Sequence, residues 1–250
     1  MLFSGRDYFM ERLDRIAIKT ATSAFDPRLR FLLAYAAIGA IGLALYSGDS
    51  AWRDSAEVLR DCAIIAWIVS LTNILLLGNG LGKILGIRPR QPLGLLGIAF
   101  SPLIHRDMAH LLANTLPFLI LGWFILVQGE LGSSSSFYTI TLTILLIGGL
   151  GTWLFGRNAI HLGASGLIFG YIGFLLINGY QVQTLLTIGF AIVVLVLYGS
   201  QLWSMLPSSS ENKVSWEGHL FGFIGGVVAG TRPDLLATAS ERIEQLLRQL

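Results

Sequence analysis

The chain is poor in charge and nearly without cysteine. Only 13% of its 250 residues are charged, where a soluble domain carries about a quarter. Seventeen basic residues against fifteen acidic ones leave a formal charge of +2. That offers no basic face to a nucleic acid. The single cysteine, Cys62, excludes a disulfide framework and a cysteine-based structural zinc site. What abounds is apolar: 54% of residues are hydrophobic and 29 are glycine. Such a chain is neither disordered nor an ordinary soluble domain. It reads as a multi-pass membrane protein.

A spanning helix needs ~20 mostly apolar residues. Stretches at about 62–81, 109–128, 136–155, 163–178 and 183–203 meet that, and a glycine-rich one at 217–231 joins them as a sixth. No alternating barrel pattern occurs, so the expected fold class is all-α, a bundle of six transmembrane helices with backbone groups satisfied inside each helix. An extra hydrophobic segment at 31–47 is alanine-rich and marginal. The expected divisions are an N-terminal extension over 1–60, a six-span core over 61–232 and a C-terminal tail over 233–250. Within 1–30, Phe9, Leu13, Ile16 and Ala17 share a helix face among six basic residues, as in an amphipathic surface helix. Leu236, Ile243, Leu246, Leu247 and Leu250 make a similar stripe in the tail.

Counting from 62, the loops of one face carry five basic residues and those of the other six, so the six before residue 31 decide the orientation. If 31–47 does not span, the balance is eleven to six; if it spans, the majority moves to the opposite face, twelve to five.

Polar groups inside spans are expensive and point to function. His110 and His219 begin the second and sixth spans, Asn114 lies one turn after His110, and Ser165 begins the fourth within Gly163-Ala164-Ser165-Gly166. In an up-down bundle these three spans begin at the same membrane face, so the four residues can share one shallow cavity. A serine hydroxyl becomes a nucleophile when an imidazole takes its proton. The flanking glycines admit a substrate backbone, and a helix N-terminus stabilises an oxyanion. No carboxylate completes a triad: Glu217, two residues before His219, reads as a surface charge, and the reading is a dyad. The spacing of His105 and His110 does not fit a helical metal site, no His-Glu-x-x-His occurs, and no cofactor is expected.

His105-Arg-Asp-Met-Ala-His110-Leu-Leu-Ala-Asn114, Gly163-Ala-Ser165-Gly166 and Gly218-His219-Leu-Phe-Gly222-Phe-Ile-Gly-Gly226 together resemble the rhomboid intramembrane serine proteases, in order and spacing. The resemblance implies Ser165 as nucleophile and His219 as base. His110, Asn114 and the Ser165 amide would form the oxyanion hole, with His105 in support. Phe169 would pack on the imidazole, and Gly222 and Gly226 would let the sixth span approach the fourth. The loop 83–106 departs from the best-known members: it lacks their Trp-Arg pair and reads Gly86-Ile-Arg-Pro-Arg90. His161 matches no catalytic position.

The implied activity is cleavage of transmembrane helices of other proteins within a lipid bilayer, in a cell membrane, with the site opening away from the cytosol. That orientation agrees with the charge count when 31–47 does not span, and this is the expected arrangement. An inactive rhomboid-fold protein that binds membrane-protein clients is the alternative. A transporter would show midplane charges or broken repeats, and the sequence has neither.

Overall fold

The computed structural model describes residues 27–128, 134–207, 215–236 and 238. The amphipathic stripes expected before residue 27 and along most of the tail lie outside them. Among the described residues the chain is helical, with no strand and one isolated bridge, Ile87 to His161.

The helices are α1 (Pro27–Leu45), α2 (Ser50–Leu71), α3 (Gly80–Leu85), α4 (Leu96–Phe100), α5 (Met108–Leu126), α6 (Ser134–Phe155), α7 (Ser165–Val182), α8 (Leu185–Tyr198) and α9 (Trp216–Thr231). Five are long and apolar enough to cross a membrane: α2 with its extension to Leu76, α5, α6, α7, and α8 with its extension to Met205. Four of the helices, α2, α5, α8 and α9, start at side chains that accept free amides of the first turn. Asp49 accepts from Ala51, Asp107 from His110 and Ser215 from Gly218, while Thr184 and Thr187 form a capping box. The Asp49 cap starts α2 twelve residues before the apolar run at 62, so its charged first turns extend the helix beyond its apolar stretch.

At its other end α2 passes into a π turn, Thr72–Leu76. There the buried Asn73 donates to Asn79 Oδ1 and to the His105 carbonyl, and accepts from the Leu81 amide. This knot of bonds fixes the loop that leads to α5.

α7 is the centre of the bundle, with 61% of its apolar window buried, against 17% for α2 and 22% for α8. Tyr171, Ile172 and Leu175 of α7 pack with Phe137, Ile144, Ile120 and Leu121 in the core. The outer helices turn Ile64, Ile65, Ile68, Leu185, Ile188 and Ile192 outward, the apolar surface a bilayer covers. The segment expected as marginal, 31–47, forms most of α1. It packs against α2, α5 and α8 through Ala37, Ile41 and Ala44.

At two points the joint between α7 and α9 is backbone against backbone. A methyl group on Gly222 would strike the Gly166 carbonyl, and one on Gly226 the Gly170 carbonyl. Gly148 of α6 meets the Gly222 backbone from the other side. Backbone-to-backbone packing through small residues is how helices associate where lipid supplies no hydrophobic drive.

Candidate active site

α7 begins at Ser165 after Ala164, whose side chain caps nothing. The first-turn amides therefore carry the positive end of the helix to Ser165 itself. Gly163, two residues earlier, sits at φ +102° and lies under His110: a methyl there would come within 2.7 Å of the ring Nε2. Only glycine satisfies both the backbone angle and this contact.

Ser165, His219, His110, Asn114 and Phe169 line one cavity of about 450 Å³. Its wall also includes His161, Gln201, Ser204 and Ser215. Ser165 and His219 line it without a hydrogen bond between them, a common arrangement in an empty site, where such bonds tighten only with substrate. The His219 imidazole is stacked on Phe169, centroids 4.1 Å apart and planes 10° from parallel. Its Nδ1 lies 2.9 Å from the Ser204 hydroxyl. Asn114 donates one amide hydrogen to the His110 carbonyl at 3.0 Å, and an amide has a second to give. His110 Nδ1 is buried without a partner.

His105 stands behind the cavity. Its Nε2 accepts from the Ala164 amide at 3.4 Å, so Nδ1 carries the hydrogen and donates to Ser70 Oγ at 2.9 Å. Ser70 passes its own proton to the Leu103 carbonyl. The ring thereby ties α2 to the residue before Ser165, and it meets His110 edge-on at 5.0 Å. Burial, reinforced by His110, pushes the His105 pKa down to about 4.

Three features were not legible in the sequence pattern. Glu217 is not a surface charge: its side chain is 1% exposed. It accepts from the Arg157 amide at 3.1 Å, with the guanidinium 3.8 Å away. His161, matched to no role, bonds Ser215 Oγ at 2.6 Å and faces the cavity. Its pKa is lowered by burial. Arg90, in the loop that departs from the best-known members, donates to the Leu154 and Gly156 carbonyls and to Asn158. It closes the C-terminus of α6, while Trp153 Nε1 returns a bond to the Gln91 carbonyl.

A second cavity, of about 50 Å³, lies on the far side of Ser165 among Ser101, Thr152, His161 and Ser215. It is large enough for water and lined with partners for it.

The fold and site define a class: an integral, multi-pass, all-α membrane protein with a serine and a histidine facing one cavity. Residues 93–232 match the Rhomboid domain. Uncharacterized proteins of Mycobacterium tuberculosis and Mycobacterium bovis are each 42% identical over 171 residues, 66% of this chain and 68% of theirs. One from Mycobacterium leprae is 39% identical over 174 residues, 66% of this chain and 64% of its own. The chain belongs to the rhomboid family.

Proposed function

We propose that this rhomboid is an active intramembrane serine endopeptidase that cleaves transmembrane helices of other membrane proteins. The observation that carries the reading is Ser165 at the uncapped start of α7, in one cavity with an imidazole held flat by Phe169.

The chemistry follows from these groups. Ser165 Oγ attacks the scissile carbonyl carbon as its proton passes to His219 Nε2. The Ser165 amide, Asn114 and His110 donate to the oxyanion, a contribution on the order of 10²–10³ in turnover for one such donor. The carbon–nitrogen bond breaks as His219 returns the proton to the leaving amine. Water then attacks the acyl-enzyme, giving its proton to His219 and releasing Ser165. The small cavity beside Ser165, whose mostly apolar lining includes Ser101, Thr152, His161 and Ser215, supports a water supply from within the protein. His105 supports the site through the Ala164 amide, and no cofactor takes part.

The test is labelling by a fluorophosphonate probe together with cleavage of a reporter helix in proteoliposomes. Wild type is expected to label and cleave. Ser165→Ala should lose both, His219→Ala should fall comparably because the pair acts as a unit, and Asn114→Ala should retain part. Wild type that neither labels nor cleaves would overturn the reading in favour of a client-binding protein.

We further propose that the site opens away from the cytosol, in a cell membrane, and that α1 is a seventh span, an arrangement that its packing on the bundle favours and the count of basic residues, twelve to five, opposes. Its apolar part, Phe31–Leu45, reaches only ~22 Å at 1.5 Å per residue, short of a bilayer core, and what supports a place among the spans is its packing on three of them. Residue 1 then shares a face with the loop at 207–214. Single cysteines at those two places, in a Cys62→Ala background, should react with an impermeant maleimide from the same side; reaction from opposite sides would return α1 to the membrane surface.

A further inference from the structure

His219 is held by a residue that no motif contains. The turn Gly199–Met205, which prolongs α8, brings Ser204 to the imidazole. Two of its atoms face His219 Nδ1: the hydroxyl at 2.9 Å and the main-chain carbonyl at 3.3 Å. The same hydroxyl lies 2.7 Å from the Gln201 carbonyl, to which it donates.

These bonds settle which ring nitrogen carries the hydrogen. A carbonyl can only accept. A serine hydroxyl has one proton, and that of Ser204 is given to Gln201. Both groups at Nδ1 are therefore acceptors, so Nδ1 is the protonated nitrogen and the lone pair is on Nε2. That is the tautomer a general base requires, the other nitrogen being fixed by its hydrogen bond.

Resting on the protease reading, we infer that Ser204 is the positioning residue of the base. It acts through His219 in the place an orienting carboxylate takes in a Ser-His-Asp triad. The imidazole is fixed on its face by Phe169 of α7 and on its edge by the segment after α8, while α9 carries it. Three spans thus converge on one ring. Neutral acceptors hold the tautomer without placing a second charge in the cavity.

The experiment measures fluorophosphonate labelling of the full chain in proteoliposomes as a function of probe concentration, for wild type, Ser204→Ala and Ser204→Thr. The Ser204 carbonyl survives both changes, so one of two acceptors is lost in Ser204→Ala. Its saturating rate is expected to fall about tenfold with an unchanged half-saturating concentration. Ser204→Thr keeps the hydroxyl and should restore the rate to within about twofold. Nitrogen-15 spectra of histidine-labelled protein, with His219 assigned from His219→Gln, should report hydrogen on Nδ1 in wild type and a mixture in Ser204→Ala. A wild-type rate in Ser204→Ala, an equal loss in Ser204→Thr, or hydrogen on Nε2 in wild type would overturn the inference. Absence of labelling in wild type would instead overturn the protease reading, and the nitrogen spectra would still decide the role of Ser204.

Discussion

Phe169 and His219 are parallel plates 4.1 Å apart, one from α7 and the other from α9. The ring of the phenylalanine removes one face of the imidazole from the cavity and stops it tilting. An aromatic pair of this kind is worth about 0.5–1.5 kcal/mol beyond its buried area. Phe169→Ala is expected to slow fluorophosphonate labelling roughly two- to tenfold by that margin, while Phe169→Tyr keeps the plate and most of the rate. An alanine variant that folds and labels at the wild-type rate would remove Phe169 from the site.

The joint between α7 and α9 makes a second expectation. Gly222→Ala and Gly226→Ala each push a methyl into a carbonyl oxygen of α7, and overpacking of this sort costs about 1–3 kcal/mol. Thermal unfolding in detergent should show both variants lowered. Gly189 of α8 has open space around it, and Gly189→Ala should leave the midpoint unchanged or raise it slightly, since alanine is the better helix former by roughly 1 kcal/mol.

Acid should loosen the protein through His105. Its folded-state pKa of about 4 lies below the ordinary 6.5. Between those values the unfolded chain binds a proton that the folded one refuses, so stability falls as pH falls. The loss is complete near pH 4 and amounts to no more than about 3 kcal/mol. His161, also lowered by burial, adds in the same direction. Unfolding midpoints measured from pH 7 to 4.5 should decline, and the slope should flatten in His105→Phe even though that variant starts lower. A midpoint that holds or rises on acidification would contradict the neutral, doubly bonded ring.

Glu217 offers a charge test. One carboxylate oxygen accepts from Arg157, and the other is buried without a partner. Removing the side chain in Glu217→Ala takes away the carboxylate that the Arg157 amide donates to, a loss of about 1–3 kcal/mol. Glu217→Gln retains an acceptor and supplies donors, and should unfold closer to wild type. Equal midpoints for the two variants would assign the glutamate no structural part.

The residues that line the large cavity were legible where local rules applied. Asn114 follows His110 by one turn, and Ser165 and His219 begin spans that start at one membrane face, so periodicity and parity brought them together. Ser204 escaped because it reaches His219 through a short 3₁₀ turn that leaves no signature in the chain. Glu217 misled for a physical reason: two helical positions from His219 it does face elsewhere, but elsewhere is the Arg157 loop rather than solvent. Arg90 was given no part beyond standing in a loop that departs from the family, whereas its partners are carbonyls 64 and 66 residues further on. Pairings at that separation follow from the tertiary fold and not from spacing.

The glycine joint of α7 and α9 lies next in sequence to Ser165 and one turn after His219. Two backbones in direct contact have no rotamers to exchange, so the spacing of the helices that carry Ser165 and His219 cannot relax by repacking side chains. α8 meets the bundle through side chains, among them the stacked pair Phe124 and Phe190 at 4.5 Å, and these can repack. Of the two contacts, the glycine joint is the one that a larger residue cannot enter without moving a helix.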